Sequence, residues 1–473
     1  MSFRKRLIAT AAVCTMAALA LYGSTLSMRP REENKEYSLL GEKETIYFWY
    51  EDDSLTNYLN SAAVSFGERE DVRVIPQLTS ESEYLEAINE ASLRSEQIPD
   101  AYILTNESLG KAYLAGLASE ILDKAGVCDE RLFPKAALNA VTYHGKRIAY
   151  PLSYETSVLV YNQTYLEEWA NQQASKTPEE FEEEEGEELL EVEEGEADSE
   201  GEDIAEDASE NVVKTAEEYL AEAVPTTVDG ILSFADSFDV PENVEGVFEW
   251  DVSDILYNYW FVGNYMVVGG EQGDDPSMLI INNEETVQCL EAYKAMNQFF
   301  SIESETTTYD SVVEDFIQGK TVFTVATTDI VKRLEEAKAA GEFAYEYGIA
   351  TMPDVNAELG GRSMSVTNAV VINGYSRHRE LAERFAQYLT TEAAGELYDK
   401  TGKMAACASA YTQEGAYKTM FAEYADSVPL PKMIETENYW MHLEVLFSKI
   451  WNGKDVAEAL TELDEQMRLQ MSQ

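Results

Sequence analysis

Along the chain, apolar positions switch between short unbroken runs and longer stretches with helical spacing. The run Thr45-Ile-Tyr-Phe-Trp-Tyr50 predicts a buried strand, closed by the acidic turn Glu51-Asp52-Asp53. A helix follows over 57–67, a strand at 72–75, a helix over 81–95 and, after Ile98-Pro99-Asp100, a third strand at 101–104. Such alternation predicts an α/β fold, a mainly parallel sheet flanked by helices. Ligands of these sheets gather at the carboxyl ends of strands. That makes Trp49, Tyr50 and Asp52 after the first strand, and Asn106 and Glu107 after the third, candidate contacts; the plainer reading of Trp49 is core.

Further on, 133–141 reads as a helix and His144-Gly145-Lys146 as a turn. Strands at 147–152 and 156–161 flank Ser153-Tyr154-Glu155, a phenol and a carboxylate that predict a crossing point and add Glu155 to the candidates. Order resumes at 225–231, where Thr226 or Thr227 can cap a helix reaching about Phe238. The aromatic-rich stretch 255–268, placed on a helix, brings Tyr257, Trp260, Phe261 and Asn264 to one face. A core stripe is the commoner meaning of such a face, yet Tyr and Trp also offer a flat apolar surface with a polar handle. The last third repeats the alternation: helix 311–318, strand 321–326, helix 329–340, an apolar segment 363–372, an amphipathic helix 379–389, a loop at 404–409, and helical runs 439–450 and 456–471. The pattern makes two alternating lobes rather than three domains of roughly 150 residues each.

Charge changes the picture in two ways. With 89 Asp and Glu against 34 Lys and Arg the formal charge is −55, which excludes a nucleic-acid backbone as partner. Part of that charge is local: the low-complexity run 179–210 holds 19 acidic residues and no basic one, and reads as a disordered insertion spanning 172–215. The remaining 45% hydrophobic and 11% aromatic content suffices for buried cores. Cys14, Cys128, Cys289 and Cys407 form neither a disulfide framework nor a CxxC pair. No zinc or calcium spacing occurs, and Gln318-Gly319-Lys320-Thr321 lacks the first glycine of a phosphate loop, so no metal or cofactor is expected. The N-terminal Arg4-Lys5-Arg6 and the 20 uncharged residues 7–26 fit an export segment over 1–28, either a cleaved signal peptide or an uncleaved anchor, followed by a tether at 29–44.

Phe133-Pro134, Ala140-Val141, Tyr143-His144-Gly145-Lys146 and Ile148-Ala149-Tyr150-Pro151, continuing through Glu155 to Val160-Tyr161-Asn162, resemble the first lobe crossing of extracellular solute-binding proteins of the maltose-binding type. Pro99-Asp100, the segment 114–121, Pro225-x-Thr227, Phe316-x-x-Gly319-Lys320 and Glu380-Leu381-Ala382 follow in that family's order. The resemblance covers about 45–465 apart from the insertion. It implies a two-lobed periplasmic-binding-protein-like fold (type II), with lobe one at 45–153 plus 360–415 and lobe two at 154–350 plus 416–473. It also implies a monomeric, exported receptor that captures a sugar or oligosaccharide in the inter-lobe cleft. Its partner is then the permease of an ATP-binding-cassette (ABC) importer, and it performs no covalent chemistry. By position, Trp49, Tyr50, Asp52, Asn106, Glu107, Glu155, Tyr257, Trp260, Asp329 and Trp440 are the expected ligand contacts. Two departures stand out: Thr327-Thr328-Asp329 where the family often offers Trp, which counts against a long maltodextrin, and Val228 where it commonly has Trp.

Two other functions fit the same residues. Glu51, Asp52, Glu107, Glu155 and Asp329 facing one cleft would attract a cationic solute such as a polyamine or basic peptide. Two of those carboxylates about 5 to 10 Å apart would suit a glycosidase.

Overall fold

Among the described residues fifteen strands organise the chain: β1 (Thr45–Tyr50), β2 (Arg73–Leu78), β3 (Ala101–Thr105), the hairpin pair β4 (Thr142–Tyr143) and β5 (Lys146–Arg147), β6 (Ala149–Thr156), β7 (Val158–Asn162), β8 (Gly246–Glu249), β9 (Val267–Val268), β10 (Leu279–Ile280), β11 (Thr321–Ala326), β12 (Tyr347–Ala350), β13 (Met364–Ile372), β14 (Met404–Ala405) and β15 (Val428–Pro429). They belong to a computed structural model that describes residues 43–79, 83–94, 97–176, 214–411, 415–436 and 438–472. The export segment 1–28, nearly all of the tether 29–44 and most of the acidic insertion lie outside the described residues. Among the described residues no helix is long and apolar enough to cross a membrane.

The first sheet runs β14-β6-β13-β3-β1-β2, with β15 paired to the start of β13. β1 lies parallel to both β2 and β3, and β13 is antiparallel to β3 and β6. The carboxyl ends of β1, β3 and β6 therefore meet the amino end of β13 along one edge. Helices Thr56–Glu70 and Arg379–Thr390 cover one face, locked by Phe48 edge-on to Phe385 at 5.4 Å and by Phe66 against Phe385 at 5.2 Å. The second sheet runs β12-β7-β11-β8. Every residue of β11 is buried, as expected of a strand covered on both faces. Around it, Trp250 stacks on Phe248 at 4.5 Å and meets Trp451 at 5.5 Å, drawing the last helices, Tyr439–Trp451 and Val456–Met471, onto this lobe.

Three places depart from the sequence reading. Ser153-Tyr154-Glu155 is not a loop between strands: β6 continues through Thr156, because Ser153 and Tyr154 pair with β14 and Tyr154 and Glu155 pair with β13. The first sheet thus keeps the chain through Thr156. The first sheet likewise keeps the chain through β15, past 415, because β15 pairs parallel to the start of β13. The stretch 255–268 is not a helix but two short 3-10 turns, Ile255–Tyr257 and Tyr259–Phe261. Buried Asn258 breaks the run by bonding three ways: its amide donates to the carbonyls of Asp251 and Asp254, and its oxygen accepts from Trp250 Nε1.

The chain passes between sheets at Ser157, over 351–363, and after β15. Polar side chains pin these crossings together. Thr156 Oγ1 donates to the Met364 carbonyl at 2.7 Å, Ser157 Oγ to Ser363 Oγ at 3.2 Å, and Ser427 Oγ to Ser365 Oγ at 2.7 Å. Buried Glu423 accepts from the Met352 N–H at 2.9 Å and from the Ser363 hydroxyl. Burial raises the Glu423 carboxyl to about 7, against the pull of those two donors.

Candidate functional site

The edge where the two lobes meet gathers the charged candidates. Asp52 ends the turn after β1 and caps the next one, its side chain accepting from the Ser54 N–H at 2.9 Å. Glu155 alternates with Tyr154 along β6 and so takes the opposite face of the sheet. Between them lies Lys403, just before β14, with its ammonium 2.8 Å from Asp52 and 3.5 Å from Glu155. Burial works against the charge of both partners in the closer pair. For Asp52 the hydrogen bonds from Lys403 and Ser54 outweigh it and hold the carboxyl below its ordinary range; for Lys403 the two carboxylates outweigh it and hold the ammonium up. Neighbouring Glu51 moves the other way, raised by burial and by Asp52.

Lobe two supplies the facing wall from the carboxyl end of β11. Thr327 and Asp329 follow that strand, and Thr328 Oγ1 reaches the Tyr154 carbonyl of β6 at 3.5 Å, which places this wall beside Glu155. Asp329 accepts from the Tyr309 hydroxyl at 2.6 Å and from Thr327 Oγ1 at 2.7 Å. Tyr309 stacks on Tyr257 at 5.0 Å with 18° between the rings, and the Arg333 guanidinium lies 5.2 Å over the Tyr309 ring. Tyr398 of lobe one closes the floor: its hydroxyl accepts from the Lys332 N–H at 3.0 Å and donates to the Thr328 carbonyl at 3.4 Å. Half-buried Asp254 caps the turn that carries Tyr257; burial first, then Asp251 and Glu444, raise its carboxyl to about 6. Trp440 donates from Nε1 to Glu444 at 2.6 Å, on a helix that packs against that turn.

The structure thus brings Asp52, Glu155 and Asp329 to the lobe junction, with Tyr257 buried behind Tyr309, Trp440 on the helix behind that turn and Glu107 exposed after β3. Four expected contacts are corrected, because their side chains are spent inside the protein. Trp49 is buried in β1. Tyr50 is buried and donates to Thr56 Oγ1 at 3.1 Å. Asn106 ties β3 to β13 and to Leu430. Trp260 is fully buried, stacked on Phe261 with its Nε1 donating to the Tyr257 carbonyl. The sequence reading missed Lys403, Tyr309, Tyr398 and Asp254. Of these, Tyr309 carried a visible signal, an aromatic directly after the Thr308 helix cap. Among the described residues no group of acidic, His or Cys side chains could hold a metal ion.

A family model described as bacterial extracellular solute-binding protein matches residues 108–396, more than half of the chain, and the chain belongs to that family. Its fold is that of two-lobed sugar-receptor structures. One is an extracellular solute-binding protein from Staphylococcus aureus solved in complex with maltose, with a TM-score of 0.69 and 19% identity over 91% of this chain and 98% of that one. Another is a cyclo/maltodextrin-binding protein complexed with maltotetraose, with a TM-score of 0.68 and 17% identity over 92% and 99%. A third is the Thermus thermophilus maltotriose binding protein bound with maltotriose, with a TM-score of 0.60 and 16% identity over 90% and 99%. No curated protein matches the chain. The family and these neighbours are binding proteins rather than enzymes.

Proposed function

We propose that the chain captures a sugar or oligosaccharide between its lobes and delivers it to the permease of an ABC importer. The observation that carries this reading is the junction of a stacked tyrosine pair with carboxylates drawn from both lobes. Asp329 on one side and Asp52 and Glu155 on the other offer acceptors for a sugar's hydroxyls, with half-buried Tyr309, backed by buried Tyr257, holding Asp329 in place. Glu107 and Trp440 complete the proposed contact set. A ligand that touches both lobes only when they close shifts the population toward the closed form.

Binding without turnover follows from Lys403. Both carboxylates of the lobe-one pair are tied to one ammonium, and the same pairing holds the Asp52 carboxyl low, away from the role of a neutral acid. Export through 1–28, and a monomer acting at the outer face of the membrane, belong to the same reading.

Calorimetric titration with glucose, maltose, maltotriose and maltotetraose tests it. Saturable heat with one of these sugars, weakened about tenfold or more by Asp329→Ala, is the expected result. Silence with every neutral saccharide up to about 10 mM, or recovery of cleaved sugar, would overturn it. A second reading rests on Asp254, a carboxylate that burial holds near 6 with no cation paired to it among the described residues. A polyamine would supply that cation, and a thermal shift with spermidine but no sugar would transfer the assignment.

A further inference from the structure

The lobes enclose a second cavity, of about 320 Å³, away from the junction just described. Strand alternation fixes which side of the first sheet it occupies. Glu155 of β6 faces Lys403, so Tyr154 faces the other way, where it stacks on Tyr424 at 3.8 Å with the rings 1° apart. Tyr424 belongs to helix Ala416–Asp426, which packs against helix Lys135–Ala140, and the cavity lies among the ends of those helices, β15 and the lobe-two segment 259–271. None of Asp52, Glu107, Glu155, Tyr257, Asp329 or Trp440 lines it.

Its lining has three parts. Met266, Met364, Val428 and Pro431 make an apolar floor. Lys135 of lobe one and Glu271 of lobe two pair across the rim at 2.8 Å, so that rim is neutral. Arg362 stands at the wall, on the segment that returns from lobe two to β13. Its backbone N–H donates to the Trp260 carbonyl at 2.9 Å and its Nε to the Asp426 carbonyl oxygen at 2.6 Å, so the guanidinium is fixed in place. Among the described residues no carboxylate lies within ion-pair distance of it; Glu271 is taken by Lys135, and the Asp426 residue is exposed. In a chain with 89 acidic residues to 34 basic ones, that is an unused anion-binding fork against an apolar wall. Tyr439, 1% exposed and packed beside Tyr259, closes the cavity from behind.

We propose that this cavity is a second ligand site, for a small carboxylate with an apolar body. The carboxylate pairs with Arg362 and the apolar part covers Met266, Met364 and Val428. The volume sits at the small end of ligand sites and admits a molecule of about a dozen heavy atoms.

Titration calorimetry of the full chain with 3-phenylpropanoate and with its neutral twin, 3-phenylpropanamide, tests the proposal on unaltered protein. The carboxylate is expected to bind saturably and the amide at least tenfold more weakly. Arg362→Gln should remove that preference, with Arg362→Lys restoring part of it. Ala425→Phe, which fills the cavity from the last turn of its helix, should abolish binding of both. Equal affinity for the two compounds, no saturable heat from the carboxylate below about 10 mM, or binding that survives both Arg362→Gln and Ala425→Phe would overturn it.

Discussion

Lys403 and Glu423 show how much a single ionisable side chain carries at a lobe junction. Lys403 pairs with both Asp52 and Glu155, and replacing it with Met would leave two carboxylates near each other in a partly buried place. The expected cost is roughly 1 to 2 kcal/mol at pH 7, read by urea denaturation. Because the folded Asp52 carboxyl is held low, its contribution is present above its unfolded value and lost as pH falls through the folded one. The gap between Lys403→Met and the natural protein should therefore shrink as acid protonates the folded Asp52 carboxyl; a gap that does not change with pH would mean that Lys403 acts by packing alone. Glu423 has the opposite sign. Its folded carboxyl sits near 7, so the folded state holds a proton that the unfolded chain has already released, and stability falls as pH rises from about 4.5 to 7. Glu423→Gln keeps an acceptor for the Met352 N–H and has nothing to ionise. Its stability relative to the natural protein should thus rise across that window by up to about 3 kcal/mol and level off above it. A difference that does not vary with pH would place the raised group elsewhere.

At the scale of elements, the clearest join is Asn106. Its amide donates to the Leu430 carbonyl at 2.7 Å and its oxygen accepts from the Thr367 N–H at 2.9 Å, so one buried side chain stitches β3 to β13 and to the segment after β15. Asn106→Ala would strand both backbone partners out of water, at an expected cost of about 3 kcal/mol in a chemical melt. A loss under about 1 kcal/mol would show that water replaces the amide. The same residue marks the limit of what sequence can say. Its position after a strand is legible, since the run 101–104 and the first strand Thr45–Tyr50 both lie where the apolar pattern puts them. Whether its amide serves a ligand or the backbone depends on Leu430 and Thr367, both more than 250 positions away, and no local pattern carries that. Trp260 and Trp49 are hidden for the same reason. The turns at 255–261 fail differently: helical spacing of aromatics is real there, but Asn258 spends its side chain on backbone groups and breaks the helix. The helix Glu284–Phe300 was open to the same method, with its Asn283 cap and Leu290, Tyr293 and Met296 at helical spacing, yet the sequence reading assigns it no element.

For the whole molecule, the proposed closure of two lobes about three crossings requires that the acidic stretch leave the crossings undisturbed. The structure gives a local reason to expect that it does. Helix Gln163–Ser175 runs beyond residue 172, and helix Ala216–Ala223 begins directly after Thr215, which caps it reciprocally with Glu218. The two helices pack on one another, with Trp169 edge-on to Tyr219 at 6.0 Å and Trp169 also against Phe234 of the lobe-two core at 5.3 Å. The chain therefore departs from and returns to one docked helix pair, and that pair contributes to neither the Lys403 junction nor the Arg362 cavity. Loop length enters stability only logarithmically, each doubling costing about 0.6 kcal/mol, so replacing 178–212 with six Gly and Ser residues shortens the connection without taxing the fold. The shortened chain should keep its melting temperature or gain a degree or two, and should bind the same sugar with unchanged affinity. Removing the run also removes much of the chain's excess negative charge. Sugar affinity should stay flat with salt in both forms, whereas a cationic ligand would bind the shortened form more weakly, and less so as salt rises. One salt series on two proteins thus reads both the independence of the insertion and the charge of the ligand.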